Sequence, residues 1–386
     1  MAAPYHGLKV LDFTWAAAGP VVTTFLAFLG ADVVKVENAA RPDLMRISDR
    51  QYGYRATTGI NESPLFNELA AGKRSIELDL TEPADLALAV ELASVADVVV
   101  ENMRPGKSEK LGLSYSDLVT VNPTLIMCSV SATGRTNSPG PPGYASIFWA
   151  EGGGAWLTGW PHRPPGLVRG PVDLHAAAFA CLGVLSLLRR RARTGEGGYI
   201  DCSAVEAVAA AAGVHLVEAQ LGLGEAGRRG NEGSSCAVND VFPCAGEDQW
   251  IAITLTDHTQ VLSFVQIMKR DFGAGLTAAE LNGGADGWEK IAAVTRDLDG
   301  CRLEAVLQHA GLAASRSMSL SQALTDPRLV ERGALQEIVH PAIGRQVIAG
   351  LPWNLDQEPY PVRGPAPDLG ADRDAVLRDW LAGTAP

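Results

Sequence analysis

Between residues 8 and 131 short apolar runs alternate with longer segments of helical pattern. LKVLDFT (8–14), ADVVKVE ending at Glu37, KRSIELDL (73–80), ADVVVEN (96–102) and TLIMCSVS (124–131) are rich in β-branched and aliphatic residues and predict strands. PVVTTFLAFLG and PADLALAVELASV, lying between them, predict helices. Such alternation builds an α/β fold, a parallel sheet covered by helices and joined by right-handed crossovers. GYIDCSAVEAVAAAAGVHLVEAQL adds a further strand and helix.

Glycine and proline crowd residues 134–171, and a connection of that length in a compact protein usually serves function. Its aromatic residues, Phe148, Trp149, Trp156 and Trp160, suggest a roomy aromatic site, although core packing explains aromatics more often. The next segment, LVRGPVDLHAAAFACLGVLSLLRRR, predicts a helix opened by Gly170 and Pro171 and closed by Arg189, Arg190 and Arg191. From Leu174 to Leu188 only His175 and Ser186 are polar, which predicts burial nearly all round. Asp173 then stands in the first turn. Two readings fit it: an ordinary helix-start carboxylate, or a nucleophile held ionised by the helix N-terminus against apolar surroundings.

Composition narrows the partners. With 386 residues, 47% apolar and 20% charged, the chain is expected to fold as two soluble domains. A net charge of −12 disfavours nucleic acid or an anionic membrane as partner, so any anionic ligand needs a local basic cluster. The six cysteines (128, 181, 202, 236, 244, 301) are scattered without metal-like spacing, which suits reduced thiols in a cytoplasm and no bound metal. MAAPYHGLKVLDF lacks the pattern of a secretory signal, and the longest apolar run, Ala176 to Leu188, is 13 residues and too short to span a bilayer. GLGEAGRRGNEGSS (222–235) reads as a linker between residues 1–221 and a smaller α/β domain at 236–325. From 326 to 386 the chain is Pro-rich and extended, as in GLPWNLDQEPYPVRGPAPDLG, and must lie on another surface.

Several chemistries fall away on spacing. The first strand-to-helix turn, TWAAAGP, lacks the G-x-G-x-x-G that would make Glu37 the ribose ligand of a dinucleotide site. GRTNSPG and EGGGAW lack the Lys-Ser/Thr of a P-loop, and neither G-x-S-x-G nor H-E-x-x-H occurs.

A set of phrases, in order, is more specific than any of these: GLKVLDFT…AGP…LAFLGADVVKVEN, NELAAGKRSIELDL, ADVVVENMRPGKSEKLGLSYSDL, NPTLIMCSVSATGRT, LLRRRARTGEGGYIDCSAVEA, VFPCAGEDQWIAI, DPRLVERGAL and HPAIGRQVIAGLPW. In them the chain resembles the class III CoA-transferases, which include formyl-CoA and carnitine-type transferases and the related α-methylacyl-CoA racemases. The resemblance implies a Rossmann-like large domain built from the N-terminal half and the returning tail, a small domain between, and two chains interlocked as a homodimer. It implies that Asp173 is the nucleophile. It implies a CoA groove lined by Ala16 and Ala17, Arg41, Leu78, Asp79, Leu80 and Thr81, Asn102, Met103 and Arg104, and Lys110. Acyl-CoA and a carboxylic acid are then the partners, with CoA a substrate and no tightly bound cofactor. The glycine loop Gly152, Gly153 and Gly154, with Tyr144 nearby, is the expected oxyanion and substrate pocket.

Departures sharpen the expectation. Racemases of the family carry GHD where this chain has Gly143, Tyr144 and Ala145, and a phenol of pKa about 10 is a poor substitute for imidazole at neutral pH. The small-domain glycine run of the formyl-CoA enzymes is missing from SSCAVNDVFPCAGEDQW, and the family's GEH appears as GAD at 370–372. An acyl-CoA racemase and a catalytically silent CoA-binding subunit remain the alternatives to a transferase.

Overall fold

The computed structural model describes residues 3–47, 59–135, 143–168, 170–224, 226–231, 237–281 and 284–382. The chain forms two compact units, one of Met1–Ala155, Leu167–Glu225 and Asp326–Pro386, the other of Trp156–Gly166 and Ala226–Thr325.

The first unit is built on six parallel strands: β1 (Lys9–Phe13), β2 (Asp32–Glu37), β3 (Arg74–Glu77), β4 (Val98–Glu101), β5 (Ile126–Ser131) and β6 (Gly198–Ser203). All five runs read as strands between residues 8 and 131 lie in this sheet. Their order is β3-β2-β1-β4-β5-β6, so the direction of winding reverses between β1 and β4. In open parallel sheets that switch point opens a crevice at the carboxyl ends of the strands.

Successive side chains point to opposite faces of each strand, and helices cover both faces. Val10, Val33, Val98, Val100, Ile126 and Cys128 pack under helices Ala18–Phe28, Gly170–Thr194 and Ala204–Ala211. Leu11, Val34, Ile76, Val99 and Met127 pack with helix Pro83–Val95 and with Val376 and Trp380 of helix Arg373–Leu381. Full burial of an indole such as Trp380 contributes roughly 3 kcal/mol. Asp32 accepts the Trp380 indole N–H at 2.8 Å, and Arg74 pairs with Asp379 at 2.7 Å. The GAD aspartate, Asp372, accepts the Ser75 N–H at 2.8 Å while its own N–H donates to the Ser75 carbonyl at 2.9 Å, which ties the tail to β3. The extended stretch before it buries Ile348, Leu351 and Tyr360 against Phe28, Leu29 and Ala71.

Two expectations need revision. Residues 134–171 are not all loop, since Ala145–Glu151 and Gly154–Leu157 are helical. The Gly170–Thr194 helix is not buried all round. It forms the crossover from β5 to β6, and Val172, Ala176, Ala177, Ala180, Cys181, Val184 and Leu188 face the sheet. Leu174, Phe179 and Leu182 are 54%, 47% and 60% exposed, because only one side of this helix meets another layer. By length and composition the helix would also suit a bilayer crossing. Its contacts with β5, β6 and helix Ala18–Phe28 are those of a core helix.

The second unit holds an antiparallel sheet of β7 (Val238–Pro243), β8 (Trp250–Leu255) and β9 (Ala313–Arg316). Phe242, Ile251, Ile253 and Leu255 pack against Phe264, Met268, Leu303 and Leu307 of its helices. It also takes in Trp156–Gly166 and Ala226–Asn231, which spacing alone assigned to the large domain and the linker. Hydrogen bonds draw these together: Gly230 N–H donates to the Gly159 carbonyl at 2.8 Å and the Trp156 indole to the Ala226 carbonyl at 2.9 Å.

Candidate active site

The loop leaving β1 is set by buried charge. Asp12, Lys35, Asp43 and Lys73 are all buried, with Lys73 Nζ 3.1 Å from Asp12 and Lys35 Nζ 3.0 Å from Asp43. Burial disfavours each charge, but Lys73 and Lys35 outweigh it at Asp12, whose pKa is lowered, and Asp43 and Asp12 outweigh it at Lys35, whose pKa is raised. At Lys73 burial prevails and brings the pKa down to about 8, against the pull of Asp12. The cluster holds the loop backbone. Asp12 accepts the Thr14 N–H at 2.8 Å, Lys35 donates to the Thr14 carbonyl at 2.6 Å, and Asp43 accepts the Ala16 N–H at 3.2 Å. Ala16 sits at φ 61°, a region that non-glycine residues enter only when their surroundings hold them there.

Asn102, just beyond β4, closes the loop from the other side of the switch point. Its side chain accepts the Trp15 N–H and donates to the Trp15 carbonyl, both at 2.7 Å. Gly19 makes room, since a Cβ there would lie 2.6 Å from Thr14 Cγ2 and 3.0 Å from Asn102 Cγ. Arg135, beyond β5, pairs with Glu101 and with Glu109, tying the segment after β4 to the next strand end.

The residues expected to line a CoA groove all follow the carboxyl ends of β1 to β4. Arg41 is exposed and lies 5.7 Å from the Trp15 ring. Leu78 is buried and donates its N–H to Glu37, while Asp79 accepts from Thr81 N–H and hydroxyl, which lowers its pKa, and Leu80 packs beneath. Met103 is half-buried with its N–H on Glu101 at 2.8 Å. Arg104 and Lys110 are exposed, and neither forms an ion pair among the described residues. These two cations stand free at one edge of an acidic protein. Glu37, in contrast, is buried and spent on Arg46 and Ser75, which removes it as a ribose ligand.

Asp173 lies in the first turn of the Gly170–Thr194 helix. That helix precedes β6, parallel to the rest of the sheet, so its N-terminus faces the carboxyl edge where the β1 and β4 loops lie. Among the described residues its carboxylate has no hydrogen-bond donor and no cation beside it. Burial pushes its pKa up to about 6. The helix N-terminus does not hold it low, as the sequence suggested, because desolvation wins where no donor reaches the oxygens. Above about pH 6 the carboxylate still predominates, desolvated and unpaired.

The expected oxyanion loop is differently employed. Gly152 N–H donates to Phe148 at 2.9 Å and Gly153 N–H to Ala150 at 3.3 Å, so neither points at a ligand. A Cβ at Gly152 would meet Val208 at 2.6 Å and one at Gly154 would meet the Trp149 ring at 2.5 Å, which makes these glycines packing devices. Tyr144 precedes helix Ala145–Glu151 with its side chain 69% exposed. The aromatic set divides: Phe148 and Trp149 pack against Val172 and Val208, whereas Trp156 and Trp160 are exposed in the second unit. Sequence reading passed over Lys35, Asp43, Lys73 and Arg135. The one visible signal was a lysine inside the apolar run DVVKVE.

A 3-2-1-4-5-6 parallel sheet, with exposed cations and a carboxylate unpaired among the described residues at its carboxyl edge, defines an α/β protein with a candidate site at that edge. The description of CoA-transferase family III matches residues 5–373, and the chain belongs to this family. It is 31% identical to succinyl-CoA–D-citramalate CoA-transferase of Chloroflexus aurantiacus, over 98% of this chain and 94% of that protein. It is also 31% identical to succinyl-CoA:mesaconate CoA-transferase of Haloarcula hispanica, over 98% of this chain and 96% of that one. A solved CAIB/BAIF family protein from Brucella suis superposes with a TM-score of 0.87 at 25% identity, covering 98% of this chain and all (100%) of the other. The protein is a family III CoA-transferase, an enzyme acting on CoA thioesters.

Proposed function

We propose that the enzyme moves CoA from an acyl-CoA donor to a free carboxylic acid by covalent catalysis on Asp173. The observation that carries this is the carboxylate itself, unpaired among the described residues, in a helix first turn, and raised to about 6 by burial alone. A carboxylate poorly solvated yet still ionised at neutral pH is a competent nucleophile.

The steps balance as four displacements. An Asp173 oxygen attacks the thioester carbonyl, the C–S bond breaks, and CoA leaves as thiolate from a mixed anhydride. The thiolate attacks the aspartyl carbonyl, releasing the donor acid and leaving an aspartyl–CoA thioester. The acceptor carboxylate attacks that thioester to give a second anhydride and thiolate. The thiolate then takes the new acyl group, and Asp173 is regenerated. Exchange of labelled acid into acyl-CoA by the purified chain, with hydroxylamine trapping on Asp173 alone, tests the scheme. Succinyl-CoA and short dicarboxylic acids are the first substrates to try, since both similar transferases are named for succinyl-CoA.

In this reading the CoA phosphates meet Arg41, Arg104 and Lys110, and Asn102 with the Asp12–Lys35–Asp43 cluster sets the backbone of Ala16 and Ala17 that the nucleotide passes. Arg104→Ala and Lys110→Ala are each expected to weaken CoA binding several-fold at low salt, with the difference shrinking as salt is raised. Parental affinity in both variants across the salt range would misplace the groove.

The protein is also proposed to work as a homodimer in the cytoplasm. Leu174, Phe179 and Leu182 on the Asp173 helix, and Val214, Leu221 and Leu223 beyond it, are large apolar side chains left uncovered, which supports this reading. Light scattering at micromolar concentration is expected to give twice the chain mass of 40.6 kDa, and an active monomer would reject the dimer.

A further inference from the structure

In the segment Asn102–Lys110 three cations, Arg104, Lys107 and Lys110, stand with one acid, Glu109. An anion in a segment that is to face phosphates opposes them through space, so its place there needs a reason. Arg135 supplies one. Its Nη1 lies 2.7 Å from Glu109 Oε1 and donates to Ser108 Oγ at 3.0 Å, while Nη2 donates to Glu101 Oε1. Its backbone N–H donates to Asp201 Oδ2 of β6 at 2.8 Å, and the guanidinium side chain is 10% exposed. One arginine, itself fixed on β6, thus grips the segment at both of its ends.

Each grip reaches the backbone or its neighbour. The second oxygen of Glu101 accepts the Met103 N–H at 2.8 Å, and buried Ser108 donates its hydroxyl to the second oxygen of Glu109 at 3.1 Å. Between these points the chain makes a tight turn. Lys107 N–H donates to the Arg104 carbonyl at 3.0 Å, Gly106 takes φ 85°, and Lys110 N–H donates to the Gly106 carbonyl at 3.3 Å. Arg104 and Lys110 project from this turn, exposed and without ion pairs among the described residues. All of these residues belong to the first unit. A segment held in place before its ligand arrives loses less freedom on binding, and binds more tightly for that reason.

We propose that Arg135 is a positioning residue for CoA, which through Glu101 and Glu109 fixes the Asn102–Lys110 turn so that Arg104 and Lys110 meet the phosphates. The proposal rests on the groove reading for its ligand. Its test uses a conflict of sign at Glu109. If Glu109 acts only as a charge, Glu109→Gln removes a repulsion and CoA binds more tightly, most of all at low salt. If it is an anchor for Arg135, the turn loosens and CoA binds about three- to tenfold more weakly. Glu109→Asp should recover part of that loss, because the carboxylate is kept.

Calorimetry with CoA on the full chain reads these affinities. Arg135→Gln should lose about tenfold or more, but it also strands Glu101, whose pKa burial already raises, and so loses stability as well. Glu109→Gln, at the more exposed end of the pair, carries the test without that cost. In a background of Arg104→Ala with Lys110→Ala, Glu109→Gln should cost no further affinity, since the turn then has no cation to present. Parental or tighter CoA binding in Glu109→Gln would overturn the positioning role. So would a loss that persists undiminished in that background, which would assign Glu109 to the fold in general. Amide hydrogen exchange without CoA separates this proposal from the groove. Glu109→Gln should speed exchange in the turn and leave β4 and β5 unchanged, and unaltered exchange in the turn would overturn the anchor even where the groove stands. Faster exchange with parental CoA affinity in Arg104→Ala and Lys110→Ala would instead overturn the groove, and with it the ligand named here.

Discussion

Asp173→Asn is expected to abolish acid exchange, by on the order of 10⁴-fold or more, and at the same time to make the folded protein more stable at neutral pH. An amide cannot form the anhydride, so turnover disappears without loss of the fold. The stability effect follows from the pKa. Burial raises Asp173 from 3.8 to about 6, so the native state holds the proton more tightly than the unfolded chain. Unfolding then releases protons in the window from about pH 4 to pH 6, and stability falls as pH rises through it. Above pH 6 the full cost of the buried charge is present. Two units correspond to roughly 3 kcal/mol, and because the side chain keeps some contact with solvent, about 1–2 kcal/mol is the better expectation. Urea denaturation of parent and variant should therefore coincide near pH 4 and diverge in favour of the asparagine above pH 6. The rate of exchange in the parent should fall about tenfold per pH unit below 6, as the nucleophile protonates. A simple capping aspartate makes the opposite set of predictions: activity retained, and stability unchanged or reduced by up to about 1 kcal/mol. Parental activity in the asparagine variant would return Asp173 to that role.

Lys35→Met is expected to cost about 3–5 kcal/mol of stability, because it leaves Asp43 and Asp12 buried with Lys73 as their one remaining cation in the cluster. Asp43 would then lose its partner and move, and the Ala16 N–H that it holds at 3.2 Å would lose its acceptor. CoA affinity should fall with stability, since the first loop would relax from its left-handed turn. Pairing Lys35→Met with Asp43→Leu should recover part of the loss in a double-mutant cycle, as the surviving charge is no longer stranded. A loss below about 1 kcal/mol in the single variant would show that the cluster is hydrated and not needed to hold the loop.

Much of this architecture was legible in the chain, for reasons that differ from element to element. The parallel strands could be read because burial on both faces leaves unbroken apolar runs, VVV in β4 and IMCSVS in β5. Asp173 drew notice as a carboxylate opening an apolar helix, and it was the family resemblance that implied a nucleophile where an ordinary helix-start residue fitted equally well. The expected groove cations came from family phrases, and the structure leaves Arg104 and Lys110 exposed and free of ion pairs among the described residues. The glycine loop reads differently in sequence and in structure. Gly152 and Gly154 look like a cradle in one dimension, and in three they are the places where Val208 and a Trp149 ring come too close for a Cβ. A one-sided helix also looked buried all round, because hydrophobicity records what will be covered and not by which layer.

By itself, then, the sequence determined the alternation of strands and helices, the family and the position of the candidate nucleophile, because periodicity and local phrases are written in consecutive residues. Strand order, and with it the switch point between β1 and β4, was decided only by tertiary structure, since hydrogen bonding between strands joins residues such as Phe13 and Glu101 that are remote in the chain. The same is true of charge. Whether Asp12, Lys35, Asp43 and Lys73 would lie in solvent or in one buried cluster, and whether Asp173 would be lowered by its helix or raised by its surroundings, depends on which atoms replace water around them. Desolvation is a property of the packed molecule, and no spacing of residues along a chain encodes it directly.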